Sequence, residues 1–386
     1  MHITDTVKYV GVNDRKLDLF EGHYIEPNGM AYNSYIISGE KTAVCDSVGE
    51  GFGDEWLENI KRETGGKPVD FLVVHHMEPD HSSNIIRFAQ AYPEARIAGS
   101  EKAFAMMKRF YGTDFSDRRI LLSKDGDRLD LGGRELITVT APMVHWPEVI
   151  MTYDTKDGIL FSADAFGKFG TTDTDEEWDC EARRYYFGIV GKYGMQVRSV
   201  LKKLSQYDIR GICPLHGPAL TEDLDHYLGL YDIWSDYRPE TDGVFIGYTS
   251  VYGHTAQAVR ELCDILESRG VKYEAMDLAR EDMAEAVENS FRYSRIVLAT
   301  TTYNMDVFPP MKTLLSSLAE RGFRNRRIAL IENGTWAPNA AKVMRETLSS
   351  MKDITFFDTT VTIQSSLNES SREALKKLGD ELCMPL

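Results

Sequence analysis

The stretch "VVHHMEPDHSSN", Val73 to Asn84, places three histidines and two acids within seven residues. It follows the apolar run "FLVV", which reads as a short buried strand. It precedes "SSNIIRFAQAY", where Ile85, Ile86, Phe88, Ala89 and Tyr92 can share one helical face. His76, Glu78, Asp80 and His81 are therefore expected on a strand-to-helix loop, where side chains can converge on a metal ion. Three later stretches repeat the arrangement. "MVHWPEV" puts His145 after a β-rich segment, "LFSADAF" puts Asp164 at a strand end, and "ICPLHGP" puts His216 behind an apolar run. His2, His23, His75 and His226 fall outside this pattern and are read as structural. Imidazole and carboxylate donors without cysteine form a hard site that suits iron better than zinc. Three carboxylates offset the charge of two ferric ions, and Asp164 can bridge them.

A second constellation lies far along the chain. "YTSVYGHTAQAV" follows one predicted strand and opens a helix, so Ser250, Tyr252, Gly253, His254 and Thr255 offer hydroxyls and backbone N–H groups to a phosphate. "TTTYN" and "ENGTWAP" also follow apolar strands, at the edge where parallel sheets bind ligands. Thr302, Tyr303, Asn304, Asn333, Gly334, Thr335 and Trp336 combine flat rings with polar groups, which suits an isoalloxazine ring. No strand-ending acid in a G-x-G-x-x-G context is found, so FMN is expected and NAD is not.

The elements that must carry these residues change in grammar along the chain. Up to about residue 240, short β-rich segments such as "KTAVCDSV", "ELITVTAP" and "GILFSADA" alternate with loops. Helical stretches such as "GDEWLENIKRETG" and "EKAFAMMKRFYG" are interspersed. "SDYRPETDG" reads as a hinge. From Gly243 five strands alternate with five helices, the pattern of a doubly wound five-stranded parallel sheet. Two domains are expected, 1–240 and 241–386.

Composition narrows the class. The 386 residues carry 44 Lys and Arg against 60 Asp and Glu, a formal charge of −16, so no nucleic acid or anionic membrane partner is expected. No apolar run approaches the roughly 20 residues that span a bilayer, and the start lacks the pattern of a signal peptide. A cytoplasmic location is expected. Cys45, Cys180, Cys213, Cys263 and Cys383 are scattered, with no C-x-x-C pair, which argues against a disulfide framework or a built-in rubredoxin-type iron site. If this protein handles electrons, an iron–sulfur or Cys-ligated centre is expected on another chain.

The order H-x-E-x-D-H, "HWP", "SAD", "LHG" is similar to that of the metallo-β-lactamase superfamily, except that Glu78 stands where the zinc hydrolases carry His. Followed by a flavodoxin-type phosphate loop, it resembles the flavodiiron proteins over essentially the whole chain. That resemblance implies an N-terminal metallo-β-lactamase-like αββα sandwich and a C-terminal flavodoxin-like domain. It implies one iron on His76, Glu78 and His145, a second on Asp80, His81 and His216, and Asp164 between them. It further implies reduction of dioxygen to water, of nitric oxide to nitrous oxide, or both. Electrons would come from a separate donor such as rubredoxin, and the assembly would be a head-to-tail homodimer or a dimer of dimers. Tyr193 and Trp146 are candidates to line the pocket. The alternatives are a zinc hydrolase with a fused flavin domain, which Glu78 and the flavin loops oppose, an oxidase that differs only in taking electrons from coenzyme F420, and a flavin electron carrier whose metal domain is a scaffold.

Overall fold

The structure is a computed structural model in which residues 3–384 are described; His2 lies outside them. The chain divides into two compact units, one ending at Asp232 and one beginning at Ile233, inside the helix Leu224–Ser235.

Two sheets form the first unit. One has six strands in the order Val7–Tyr9, Tyr35–Ile37, Ala43–Cys45, Phe71–Val74, Arg96–Gly99, Arg119–Leu121, parallel from Ala43–Cys45 onward. The other has five: Arg128–Asp130, Glu135–Thr140, Ile150–Asp154, Ile159–Phe161, Gly211–Cys213. Their inner faces meet in an apolar core that includes Tyr35, Val73, Ala98, Leu136, Ile150 and Phe161. Burial on both faces explains why "FLVV" reads as an unbroken apolar run. The helices Gly53–Thr64 and Ile85–Ala91 meet through the rings of Trp56 and Phe88, and Gly194–Leu204 covers the second sheet at Glu135–Thr140. The layers are helix, sheet, sheet, helix, the αββα sandwich expected. Every strand end that matters lies on one of the two sheets, so their loops can meet.

In the second unit the sheet order is Tyr273–Asp277, Thr241–Tyr248, Tyr293–Tyr303, Arg326–Asn333, Ile354–Ile363, all parallel. In chain order that is 2-1-3-4-5, the flavodoxin-like arrangement, whose ligand site lies beyond the carboxyl ends at the switch between the first and third strands. A short strand, Asp306–Val307, pairs antiparallel with the end of Tyr293–Tyr303. His254–Ser268 and Glu369–Leu382 pack on each other, with Gly379 against Ile265, while Met283–Arg292 packs on Pro309–Glu320. Among the described residues no helix is long and apolar enough to cross a membrane.

Candidate metal centre and cofactor pocket

His76 follows Val74 by two residues, and Pro79–Ser82 then forms a single helical turn with the proline near its start. Asp80 and His81 therefore sit on a helical turn and not on an open loop. Proline pre-sets φ for such a turn, which apolar spacing alone does not reveal.

The seven candidate ligands fall into two groups: His76, Glu78, His145 and Asp164; and Asp80, His81 and His216. Within each, one donor atom per residue lies within 4.8 Å of every other. In the first, the Nε2 atoms of His76 and His145 are 3.2 Å apart, and His145 Nε2 is 3.0 Å from Glu78 Oε2. In the second, the Nε2 atoms of His81 and His216 are 3.0 Å apart, each about 3.3–3.4 Å from Asp80 Oδ2. Asp164 faces both groups. Its Oδ2 lies 2.9 Å from His145 Nε2 and its Oδ1 3.5 Å from His81 Nε2.

Other groups fix which nitrogen points inward. His76 Nδ1–H donates to Glu148 Oε1 at 2.8 Å, and His216 Nδ1–H donates to the Ala31 carbonyl at 2.7 Å. Both rings are thereby held with Nε2 toward the cluster. His75 is turned away: its Nδ1 is 2.6 Å from Asp46 and its Nε2 2.8 Å from Thr152, so no ring nitrogen remains for a metal.

The donor set fits a pair of cations. All four carboxylate oxygens of Asp80 and Asp164 are buried without a hydrogen-bond partner, an arrangement that costs several kcal/mol unless positive charge is present. Burial pulls the His145 imidazole down, but Asp164 and Glu78 outweigh it and push it up to about 9. His76 moves up likewise, against burial, through Asp164, Glu148 and Glu78. Burial also pushes Asp80 up, reinforced by Glu78 and Asp164. Burial holds His81 and His216 below the usual imidazole range, which leaves them neutral donors. The carboxylates thus favour positive charge at His76 and His145, while His81 and His216 keep neutral lone pairs for a cation.

The Trp146 ring packs edge-on to the His76 ring, 5.2 Å between centroids. Tyr193 stands half-buried at the N-cap position of Gly194–Leu204, with no capping bond from its side chain. Phe20 and Tyr185 stand 5.4 and 5.5 Å from the His216 ring. Glu21 stands in a left-handed turn with φ 50°, and burial together with the nearby Glu78 charge pushes its carboxyl up to about 7.

In the second unit, a cavity of about 690 Å³ is lined by Ser250, Tyr252, His254, Thr255, Thr302, Tyr303, Asn304, Asn333, Gly334, Thr335 and Trp336. Thr301, Met305 and Ser365 also line it. Gly253, with φ 90°, turns the chain into His254–Ser268, and its N–H donates to Ser250 Oγ at 3.1 Å. Trp336 and Tyr252 are 88% and 91% exposed at the rim, and rings so bare suit a flat ligand between them.

Residues 30–217 match the family described as ODP family beta lactamase. The chain is 30% identical over 342 residues to a putative diflavin flavoprotein A 1 of Nostoc sp., covering 86% of this chain and 58% of that one. It spans about half the length of the diflavin relatives it matches. It is 27% identical to a nitric oxide reductase of Moorella thermoacetica, covering 91% and 90% of the two chains. The flavodiiron protein from Giardia intestinalis superposes with a TM-score of 0.90 at 24% identity, covering 98% of this chain and 96% of that one. Rubredoxin oxygen:oxidoreductase of Desulfovibrio gigas superposes with a TM-score of 0.89 at 23% identity, over 99% and 97%.

In fold, and over most of its length, the chain resembles the flavodiiron proteins.

Among the features of this site, sequence reading missed those that only folding assembles. Glu148, Asp46 and the Ala31 carbonyl support the histidines from positions 29 to 185 residues away. Only Glu148 had a local signal, three residues beyond His145 in "HWPE".

Proposed function

We propose that this chain is a flavodiiron protein, an oxidoreductase that holds two iron ions and one FMN. It takes electrons from an external donor such as rubredoxin, and reduces dioxygen to water, nitric oxide to nitrous oxide, or both. One observation carries the reading: Asp164 offers one carboxylate oxygen to each of two ligand groups, and the first group contains the carboxylate of Glu78. His76, Glu78 and His145 would hold one iron, Asp80, His81 and His216 the other, with Asp164 shared. When bound, the flavin supplies two electrons and a ferrous pair two more, the four that dioxygen needs.

The chain's own part is to orient and to shield. Glu148 and the Ala31 carbonyl aim two imidazoles. Trp146, Phe20 and Tyr185 keep water from the ring faces. The N-terminus of His254–Ser268, with Ser250 and Thr255, would hold the flavin phosphate, and Trp336, Tyr303 and Tyr252 line the cavity that would take its ring. A head-to-tail dimer would bring one subunit's flavin to its partner's irons.

The test is metal and flavin content after native expression, then anaerobic mixing of the reduced protein with each gas. About two irons and one FMN per chain, with rapid flavin reoxidation by one or both gases, is the expected result. Zinc at full occupancy with no iron-dependent turnover would instead favour a hydrolase.

A further inference from the structure

His75 is adjacent to a ligand yet is not one, and its surroundings are unusually complete. The ring is buried, as are Asp46 and Thr152. Asp46 Oδ1 accepts the backbone N–H of His75 at 2.7 Å and of His76 at 3.3 Å, while Oδ2 lies 2.6 Å from His75 Nδ1. The far nitrogen, Nε2, is 2.8 Å from Thr152 Oγ1. The His75 carbonyl accepts from the Ile150 amide at 3.2 Å, and the ring lies nearly parallel to Phe161, 17° between planes.

Asp46 follows a strand of the first sheet, whereas Thr152 and Ile150 belong to a strand of the second. That second strand leads straight out of the loop carrying His145 and Glu148. One imidazole thus ties the His76 loop to the His145 loop across the sandwich. With Nδ1–H donating to a carboxylate and the Thr152 hydroxyl donating to Nε2, every group is satisfied with the ring neutral.

We infer that His75, through Asp46 and Thr152, is a positioning residue that sets the distance between His76 and His145 and so tunes the affinity of the first metal position, His76/Glu78/His145, separately from the second. The inference rests on the metal reading above. His81 and His216 receive no hydrogen bond from His75, Asp46 or Thr152 side chains in the contacts described, so the second position answers to it weakly. His75→Leu keeps the volume but leaves a buried carboxylate oxygen and a hydroxyl unpaired. His75→Asn restores a donor toward Asp46 without reaching Thr152, and Thr152→Val removes the outer arm alone.

The experiment is a chelator titration of the full-length chain loaded with ferrous ion, read as ions retained per chain, with the melting temperature of the metal-free chain as a control. Wild type should retain two ions. In His75→Leu one ion should leave at roughly 10–100-fold lower chelator activity, the usual cost of removing a support behind a ligand, while the other is unmoved. Thr152→Val should shift the same ion less, and His75→Asn should recover most of the loss. In a His145→Asn background, His75→Leu should change nothing further, because the position it tunes is already gone. Two ions released by His75→Leu as by wild type overturn the inference alone, and so does equal loss of both ions with no recovery in His75→Asn. A wild-type chain that takes up no metal overturns the metal reading as well.

Discussion

Asp164 stands in a short connection whose backbone is left-handed at Ala163 (φ 51°) and Phe166 (φ 67°). Such conformations are uncommon for residues with a Cβ and persist only where surroundings compel them. Here the Phe166 amide donates to the Tyr231 hydroxyl at 2.5 Å, and the Phe166 ring stacks on that of Tyr231 with centroids 4.1 Å apart. The loop is thus held with one carboxylate between two ligand groups. Asp164→Asn exchanges an anion with two acceptor oxygens for a neutral amide with one. It should lower metal content at both positions, by more than the roughly tenfold typical of losing an outer support. His145→Asn should empty the first position and leave the second partly loaded, with flavin content unchanged in both variants. Metal per chain by elemental analysis checks this, and a fully loaded Asp164→Asn would remove that residue from the ligand set. These candidate residues were legible because they recur in an ordered series just after or just before strands, Asp80 and His81 on the helical turn that follows one. Glu21 was not, because only a left-handed turn brings it to Glu78.

The N-terminal edge strand, Val7–Tyr9, is held by charge as well as by pairing. Arg134 is buried against Asp154 and Asp157, and Asp157 Oδ2 also accepts from the hydroxyls of Thr4 and Thr6 just before that strand. Burial pushes the Asp157 carboxyl up, but Thr6 and Arg134 outweigh it and hold it below the usual range. A folded pKa below the unfolded value of about 3.9 gives stability that is complete above that value and is lost as pH falls through the folded one. Asp157→Asn should therefore cost about 1–2 kcal/mol near neutrality, and the gap from wild type should close below about pH 4. Urea unfolding from pH 7 to pH 3 measures it, and a gap constant over that range contradicts the assignment. Elsewhere the elements show where periodicity informs and where it misleads. The regular strand–helix beat after Gly243 emerged as a parallel sheet, with the Ser250–Gly253 turn leading into its first helix, because each strand there is an apolar run closed by Gly or small polar residues. Trp178–Tyr185 went unread as a helix. Its buried side includes Arg183 and Arg184, the latter paired with Glu26, so charge occupies the face that the usual pattern fills with apolar residues.

Each unit has its own apolar core and its own candidate site. A double substitution of Trp336 and Thr255 by Ala, both at the second unit's cavity, should weaken FMN retention about tenfold or more, as expected for losing an aromatic wall and a phosphate-side hydroxyl together. Metal content should stay at the wild-type level. Equilibrium dialysis for flavin and elemental analysis for metal separate the two, and parallel loss of metal would mean that the units are not independent.

The proposed metal donors are gathered from residue 76 to residue 216, across both sheets of the sandwich. An unfolded chain has no means of keeping such a set together, so a cation that fits it belongs almost wholly to the folded form. Mass action then makes free metal concentration a control on thermal endurance. Each tenfold rise above the dissociation constant adds about 1.4 kcal/mol per site. The melting midpoint of the first unit should climb with added ferrous ion, whereas that of the second should answer to FMN alone. Calorimetry across a metal series would resolve the two transitions, one moving and one still.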